Sequence, residues 1–288
     1  MTDKTHQSNN RQTTLLSIGA ILIIVTVVGG VFLWKSVQST MQAVQNIGLQ
    51  VSSLQSQDRT PTSDQLKKAV ALAITDIAAE EQAKLVTAKL DAYKNAAETV
   101  PDGKHVYGSL NARFTMVEFS DLECPYCKRF HNTPKSLVDD SSGNVNWQWM
   151  HLPLGFHNPG AQLGAEAAEC ASDLGGNRSF WAYLEEYFEH TRGNGQGVSD
   201  LTQLAVNLGI NATEFRQCMT EGRYRDKVQE QAAKAASLGI NGTPATFLVD
   251  NLTGNSQLLS GAQPAEAFVG AMRKMITEAQ EAATAKQG

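Results

Sequence analysis

The chain has 288 residues, 42% of them hydrophobic, and a formal net charge of −5 at pH 7. That is enough apolar material for one large packed domain or two small ones. The acidic balance, with no Lys/Arg stripe interleaved with aromatics, excludes a nucleic-acid footprint and leaves proteins or small thiols as partners.

Residues 1–14 carry Lys4 and Arg11 and precede an uncharged run from Leu15 to Trp34. At about 1.5 Å per residue the run spans roughly the 30 Å of a hydrocarbon core, so it reads as a transmembrane anchor. A cleaved signal peptide is the competing reading, although its apolar region is usually only about 7 to 15 residues long. After the run, Lys35 is the last basic residue until Arg59. The bias therefore places residues 1–14 in the cytoplasm, by a margin of one charge.

Residues 35–62 form a tether or a short coiled coil. Val37, Val44 and Val51 share one heptad position, and Thr40, Ile47 and Leu54 share the position three residues on. Gly48 and the scarcity of flanking charge keep an extended tether equally open. Residues 63–99 read as a helical stalk. Ser63 or Asp64 is the expected cap, and Leu66, Val70, Ile74, Ile77, Leu85 and Leu90 fall mostly on one face of a helix over about Asp64 to Ala97. Such a face needs a partner, either a second copy of the chain, giving a homo-oligomer through the stalk, or the domain that follows.

Pro101-Asp102-Gly103 is a turn signal that opens a domain over residues 100–282. Arg113 to Ser120 reads as a central strand. Cys124-Pro125-Tyr126-Cys127 follows at once and opens a helix to about Asp139. A thiolate at a helix N-terminus faces unpaired backbone N–H groups and the positive end of the macrodipole, which lowers its pKa to roughly 3.5 to 7.5. Cys124 is therefore the expected attacking sulfur, and Cys127, one turn further in, the resolving one. Pro125 suits the first turn because its missing N–H is an orphan there anyway. Asp121 and Glu123 oppose the thiolate, but as exposed charges they are screened and the helix effect wins. His131, one turn past Cys127, is expected on the surface.

Val145 to Leu152 alternates as a second strand, parallel to the first, with Trp147 and Trp149 in it. His151 and His157 are expected to serve the strand end and the next helix start. A helical block follows, at Gly160 to Leu174, Ser179 to His190, Leu201 to Leu208, Ala212 to Glu221 and Tyr224 to Leu238. Then come Asn241-Gly242-Thr243-Pro244, a strand over Ala245 to Val249, a hairpin turn at Thr253-Gly254-Asn255 and a strand around Gln257 to Leu259. The last helix, Ala265 to about Ala279, turns Phe268, Met272 and Met275 inward. This order is that of an α/β thioredoxin fold with a helical insertion at about 157–239. No second CxxC accompanies the first, which argues against a four-cysteine zinc site, and the chemistry calls for no organic cofactor.

These motifs together resemble the DsbA-like thioredoxin family of bacterial thiol-disulfide oxidoreductases. The resemblance rests on the run from Thr115 through Cys124-Pro125-Tyr126-Cys127 to Phe130, on Ala168-Glu169-Cys170-Ala171, on Phe180-Trp181, and on Gly242-Thr243-Pro244-Ala245-Thr246-Phe247. It implies that Pro244 is cis and lies against the dithiol, with the Thr243 backbone pairing with an extended substrate that also meets Pro125 and Tyr126. Read alone, Thr243-Pro244 is compatible with cis without requiring it, since only about 5–6% of X–Pro bonds are cis.

Glu118, six residues before Cys124, matches the family's buried acidic position, which implies a proton acceptor for the inner thiol. A solvent-facing or ion-paired strand glutamate is the alternative. Some relatives carry a second, structural disulfide in the helical block, which implies a Cys170–Cys218 bond, and two buried free thiols are the alternative. Pro-Tyr between the cysteines differs from the Pro-His of the strongly oxidising members. It is closer to the isomerase branch and to the family's copper-sensitivity proteins. The function so implied is disulfide exchange with cysteine-containing envelope proteins and a redox partner. The catalytic domain would lie outside the cytoplasm, anchored in the bacterial inner membrane through residues 15–34. An oligomeric disulfide isomerase or reductase, and a non-enzymatic envelope scaffold or copper-binding protein, are the alternatives.

Overall fold

Strand β2, Phe114–Ser120, lies at the centre of a five-stranded sheet ordered β1-β3-β2-β4-β5 in the computed structural model. It pairs in parallel with β3 (Val145–His151) and antiparallel with β4 (Ala245–Asp250), while β5 (Ser256–Ser260) extends the sheet beyond β4. Alternation along β2 sends Phe114 and Met116 into the larger apolar core and Val117 and Phe119 into a smaller one on the opposite face. Glu118 is two residues on from Met116, so its carboxyl points into the larger core, where Trp147, Trp149 and Trp181 are fully buried.

The structure describes Gln45, Leu49, residues 62–98 and residues 103–285. The anchor at 15–34, nearly all of the tether at 35–62 and the Pro101-Asp102 turn lie outside them. Among the described residues no helix is long and apolar enough to cross a membrane.

Helix α1 spans Ser63–Asp91. Its cap is Thr62 rather than Ser63 or Asp64: the Gln65 side chain accepts from the Thr62 N–H at 2.9 Å and Thr62 Oγ1 accepts from the Gln65 N–H. The reciprocal pair satisfies two otherwise orphaned groups. Two compact units divide within this helix, at Glu81 and Gln82. The helix ends at Asp91 and not at Ala97, because the following residues turn into the core and Ala96 bridges to Tyr107. Lys89 pairs with Glu186, and Tyr93 and Ala96 are buried in the larger core.

Strand β1, His105–Gly108, was not anticipated. It pairs antiparallel with β3 and is held by its first side chain. The His105 ring stacks on Phe180, Nδ1 bonds to Asn177 and Nε2 bonds to Glu169. A four-residue edge strand carries too little alternation to be read from sequence.

The helix after the dithiol is split into α2 (Pro125–Phe130) and α3 (Asn132–Asp140). Pro134 lies within the first turn of α3 and supplies no N–H to the carbonyl of Phe130, so the ladder is broken there. The helical block comprises α4 (Gly160–His190), α5 (Leu201–Val206), α6 (Ala212–Glu221) and α7 (Arg225–Ser237). Helix α4 is interrupted at Gly176, whose φ of +80° and ψ of 179° are not helical, which matches the two helices read from the sequence. The last helix, α8, spans Ala265–Ala285 and buries Phe268, Met272 and Met275.

Candidate active site

Cys124 is the N-cap residue of α2, in an extended conformation, with Pro125 as the first helical residue. No side chain caps this helix end. In its thiol form Cys124 Sγ donates to the carbonyl oxygen of Thr243 at 3.5 Å, and the Thr243-Pro244 bond is cis. The loop before β4 thereby brings Thr243 and Pro244 to the sulfur. The Cys124 thiol is pulled down to about 5, chiefly by hydrogen bonding from Cys127 and, against the cost of burial, by Thr243 and the amides of Cys127 and Tyr126. Cys127 moves the opposite way. It is fully buried, and desolvation together with the Cys124 and Glu118 charges pushes its thiol well up. One sulfur is poised to ionise and the other to hold its proton.

Glu118 is fully buried, and burial raises its carboxyl to about 7. Neither carboxyl oxygen meets hydrogen-bond geometry with a partner, although Ser120 and Trp147 lie near enough to moderate the rise. The alternative of a solvent-facing or ion-paired strand glutamate is thereby excluded. Tyr126 is 58% exposed, with the Arg129 guanidinium over its ring at 5.0 Å, and Pro125 is exposed beside it. Cys170 and Cys218 are bonded to each other and tie α4 to α6.

The expectation that Asp121 and Glu123 are exposed charges is wrong. Both are buried, and both spend their oxygens on backbone and side-chain donors. Asp121 Oδ1 accepts from the Glu123 N–H at 2.8 Å, which folds the turn that delivers Cys124. Its Oδ2 accepts from the Leu154 N–H at 2.9 Å and meets His157 Nδ1 at 2.7 Å, fixing the loop before α4. Glu123 accepts from the Tyr187 hydroxyl, the Thr191 hydroxyl and the Gly197 N–H, and its carbonyl takes the Asn194 N–H at 2.7 Å. Those bonds hold the Thr191-to-Gly197 loop against the start of α2. Gly193 and Gly195 have positive φ there, and a Cβ on Gly195 would lie 3.0 Å from the His157 carbonyl oxygen. Three donors satisfy this buried carboxylate, which has no ion-pair partner among the described residues.

His131 is likewise buried rather than on the surface. Its Nε2 lies 3.2 Å from the Tyr93 hydroxyl, its ring packs among Trp147, Trp149 and Phe188, and desolvation lowers its pKa to about 3. The partner comes from the residues just past α1, which sequence reasoning assigned to the stalk. The roles of Asp121, Glu123, Tyr187 and Thr191 were missed, whereas His157 serves the approach to α4 as expected. The Asp-x-Glu spacing and the alternating glycines of Gly193-Asn194-Gly195-Gln196-Gly197 are the signals that could have found them. Among the described residues no group of three or more metal-ligating side chains is assembled.

The family described as thioredoxin matches residues 98–263. DsbA2 of Pseudomonas aeruginosa superposes with a TM-score of 0.55 at 32% identity, over 62% of this chain and 96% of that one. BdbD of Bacillus subtilis gives a TM-score of 0.53 over 62% and 96%, at an identity of 22% that speaks to the fold alone. The Na(+)/H(+) antiporter NhaA 1 of Salinispora arenicola is 34% identical over 151 residues, which are 51% of this chain and 22% of that protein. The chain thus spans less than a quarter of the antiporter's length, and the likeness concerns a segment of it. The thioredoxin match over more than half the chain, together with a superposition that takes in 96% of DsbA2, fixes the family: the chain belongs to the thioredoxin family, in its DsbA-like form.

Proposed function

We propose that this chain is a thiol-disulfide oxidoreductase in which Cys124 and Cys127 are the reacting sulfurs and cysteine-containing proteins are the substrates. The observation that carries the reading is Cys124 Sγ at a helix N-terminus, 3.5 Å from the Thr243 carbonyl, with its thiol drawn down to about 5 beside a buried partner. In the oxidising direction a substrate thiolate attacks Cys124 Sγ, an S–S bond forms to substrate, and the Cys124–Cys127 bond breaks. Cys127 leaves and takes a proton, which Glu118 in its acid form supplies. A second substrate thiolate then attacks the substrate sulfur and releases Cys124 as thiolate, so two electrons end on the dithiol. In reverse, Glu118 as carboxylate takes the Cys127 proton. Thr243 offers its backbone to an extended substrate, and Pro125 and Tyr126 line the approach.

The direction follows from which form the protein favours. A depressed Cys124 pKa stabilises the reduced, ionised form, fully above the ordinary thiol range and progressively less as pH falls through about 5. Stabilising the reduced form makes the disulfide the stronger oxidant. Equilibration of the full-length chain with glutathione buffers at pH 7 is expected to give a potential of about −120 to −180 mV. A value near the thioredoxin level of about −270 mV would reverse the direction, and a dithiol inert to glutathione would remove the activity.

Replacing Glu118 with glutamine tests the proton step. In the wild type, resolution of a Cys124 mixed disulfide should rise as pH passes through about 7, where the carboxyl ionises. In the Glu118→Gln variant that rise disappears, and the rate at pH 8 falls about tenfold or more. Burial penalises the Glu118 charge, so the wild type loses stability as pH rises through that range while the glutamine variant does not. A slower rate cannot then be blamed on unfolding. Superimposable pH profiles would exclude Glu118 from the step.

The uncharged run at 15–34 supports anchoring in a bacterial inner membrane. The Cys170–Cys218 bond supports an oxidising compartment outside the cytoplasm for the catalytic domain. Leu66, Val70, Ile74 and Ile77 are exposed along α1, which supports self-association through the stalk.

A further inference from the structure

Four segments meet at Cys124 or at the turn that delivers it. They are the turn and helix at 121–131, the loop at 152–158 held by Asp121, the loop at 191–198 held by Glu123, and the Asn241-to-Pro244 segment whose Thr243 carbonyl meets the thiol. Together they expose three cations, Lys128, Arg129 and Arg192, and no carboxylate. The two acids these segments contain, Asp121 and Glu123, are buried and turned onto loop donors. The chain as a whole is acidic, at −5, so the sign of the charge around the dithiol is opposite to that of the molecule.

The three cations are placed rather than scattered. The Lys128 N–H bonds to the Cys124 carbonyl at 3.0 Å, so Lys128 lies one turn along the same helix face. Its Nζ donates to the Thr191 carbonyl at 3.3 Å, bridging α2 to the glycine loop. Arg129 lies over the ring of Tyr126, between the two cysteines. Arg192 projects from the loop next to Gly193, where a Cβ would lie 3.3 Å from the Glu123 carbonyl and 3.6 Å from Pro125. Among the described residues none of the three forms an ion pair. The nearest acids in sequence, Glu189 and Asp200, lie outside these four segments, and Asp200 caps α5 through the Gln203 N–H.

We propose that Lys128, Arg129 and Arg192 form a basic rim that docks an acidic, cysteine-bearing protein segment at Cys124. The proposal deepens the oxidoreductase reading and rests on it. Burying the two local acids does two things at once. It ties the flanking loops in place, and it leaves Lys128, Arg129 and Arg192 as the only exposed charged side chains of these four segments, a basic field at the surface a substrate sulfur must cross. Such a field raises encounter rates with anionic partners and slows cationic ones, in a manner that salt suppresses. The bond exchange itself is unchanged; the rim sets which thiols reach it.

The test uses the oxidised full-length chain and three dithiol peptides that differ only in carrying Glu, Gln or Lys at the same positions away from their cysteines. Peptide disulfide formation is followed by acid quench and mass. At about 50 mM salt the Glu peptide is expected to react about tenfold faster than the Lys peptide, and the two rates should converge near 500 mM. Comparing each peptide between proteins cancels its own thiol reactivity. In the Lys128→Gln/Arg129→Gln/Arg192→Gln variant the Glu-to-Lys ratio should fall to about 1, and in the Lys128→Arg/Arg129→Lys/Arg192→Lys variant it should persist. Equal rates in the wild type at low salt, or a preference that survives in the glutamine variant, overturn the rim alone. Glutathione disulfide is run in parallel with the reduced chain. A charge effect seen with it and absent with the Glu peptide assigns the rim to small anionic thiols and overturns the proposal. No reaction with any peptide overturns the Cys124 reading and the rim with it.

Discussion

The Cys124→Ser variant is expected to lose disulfide exchange by at least about three orders of magnitude, with its thermal unfolding little changed. A hydroxyl cannot form the mixed disulfide, and no other sulfur can stand in. Cys127 is fully buried with its thiol pushed up, and Cys170 and Cys218 are bonded to each other. The change in packing is small, because one second-row atom is replaced at a helix cap that makes no side-chain capping bond. In the wild type, alkylation of Cys124 should be half-maximal at about pH 5, where the thiolate forms. The Cys127→Ser variant, by contrast, should accumulate mixed disulfides through Cys124, because attack remains while resolution is lost. A Cys124→Ser chain that kept exchange activity would refute the assignment of the attacking sulfur. One that lost exchange yet kept full cellular function would favour a scaffold role.

The second large effect is on stability. Replacing Cys170 and Cys218 together with alanine is expected to cost about 4 kcal/mol, since the bond closes a loop across a sequence separation of 48. In a domain of this size that corresponds to a fall in Tm of about 10 °C. Both sulfurs are buried, so the alanines also remove apolar contacts between α4 and α6. Disulfide exchange measured well below the new Tm should persist, because the bond lies in the helical block and not at the dithiol. Urea unfolding of the oxidised and double-alanine chains measures the difference. Coincident midpoints would mean that the bond does not stabilise the folded chain.

Much of the fold can be read locally. The strands β2 and β3 alternate or run apolar over seven residues, long enough for period and pairing to be inferred. Each helix of the insertion carries its own periodicity and turn signals, and even the break near Gly176 falls where Gly175-Gly176 interrupts the pattern. The dithiol was legible because its chemistry depends on one helix start, which Cys124-Pro125 marks by itself. Edge strand β1 was not legible, because its formation depends on what His105 meets from α4, residues far along the chain. The end of α1 was misread for the same reason: Tyr93 looks like stalk until His131 and Glu185 are brought to its hydroxyl.

By itself, then, the sequence determined the fold class and the order of the elements other than β1, and it marked Cys124 and Cys127 as the candidate dithiol, a signal carried by residues within one turn of one another. Only the tertiary structure decided the electrostatics around those sulfurs. Asp121 and Glu123 carry charges whose effect on Cys124 depends on burial and on donors from Leu154, His157, Tyr187, Thr191 and Gly197. An exposed acid beside a thiol opposes its ionisation. The same acid, buried and hydrogen-bonded to a loop, builds the site and leaves only cations exposed in the segments around it.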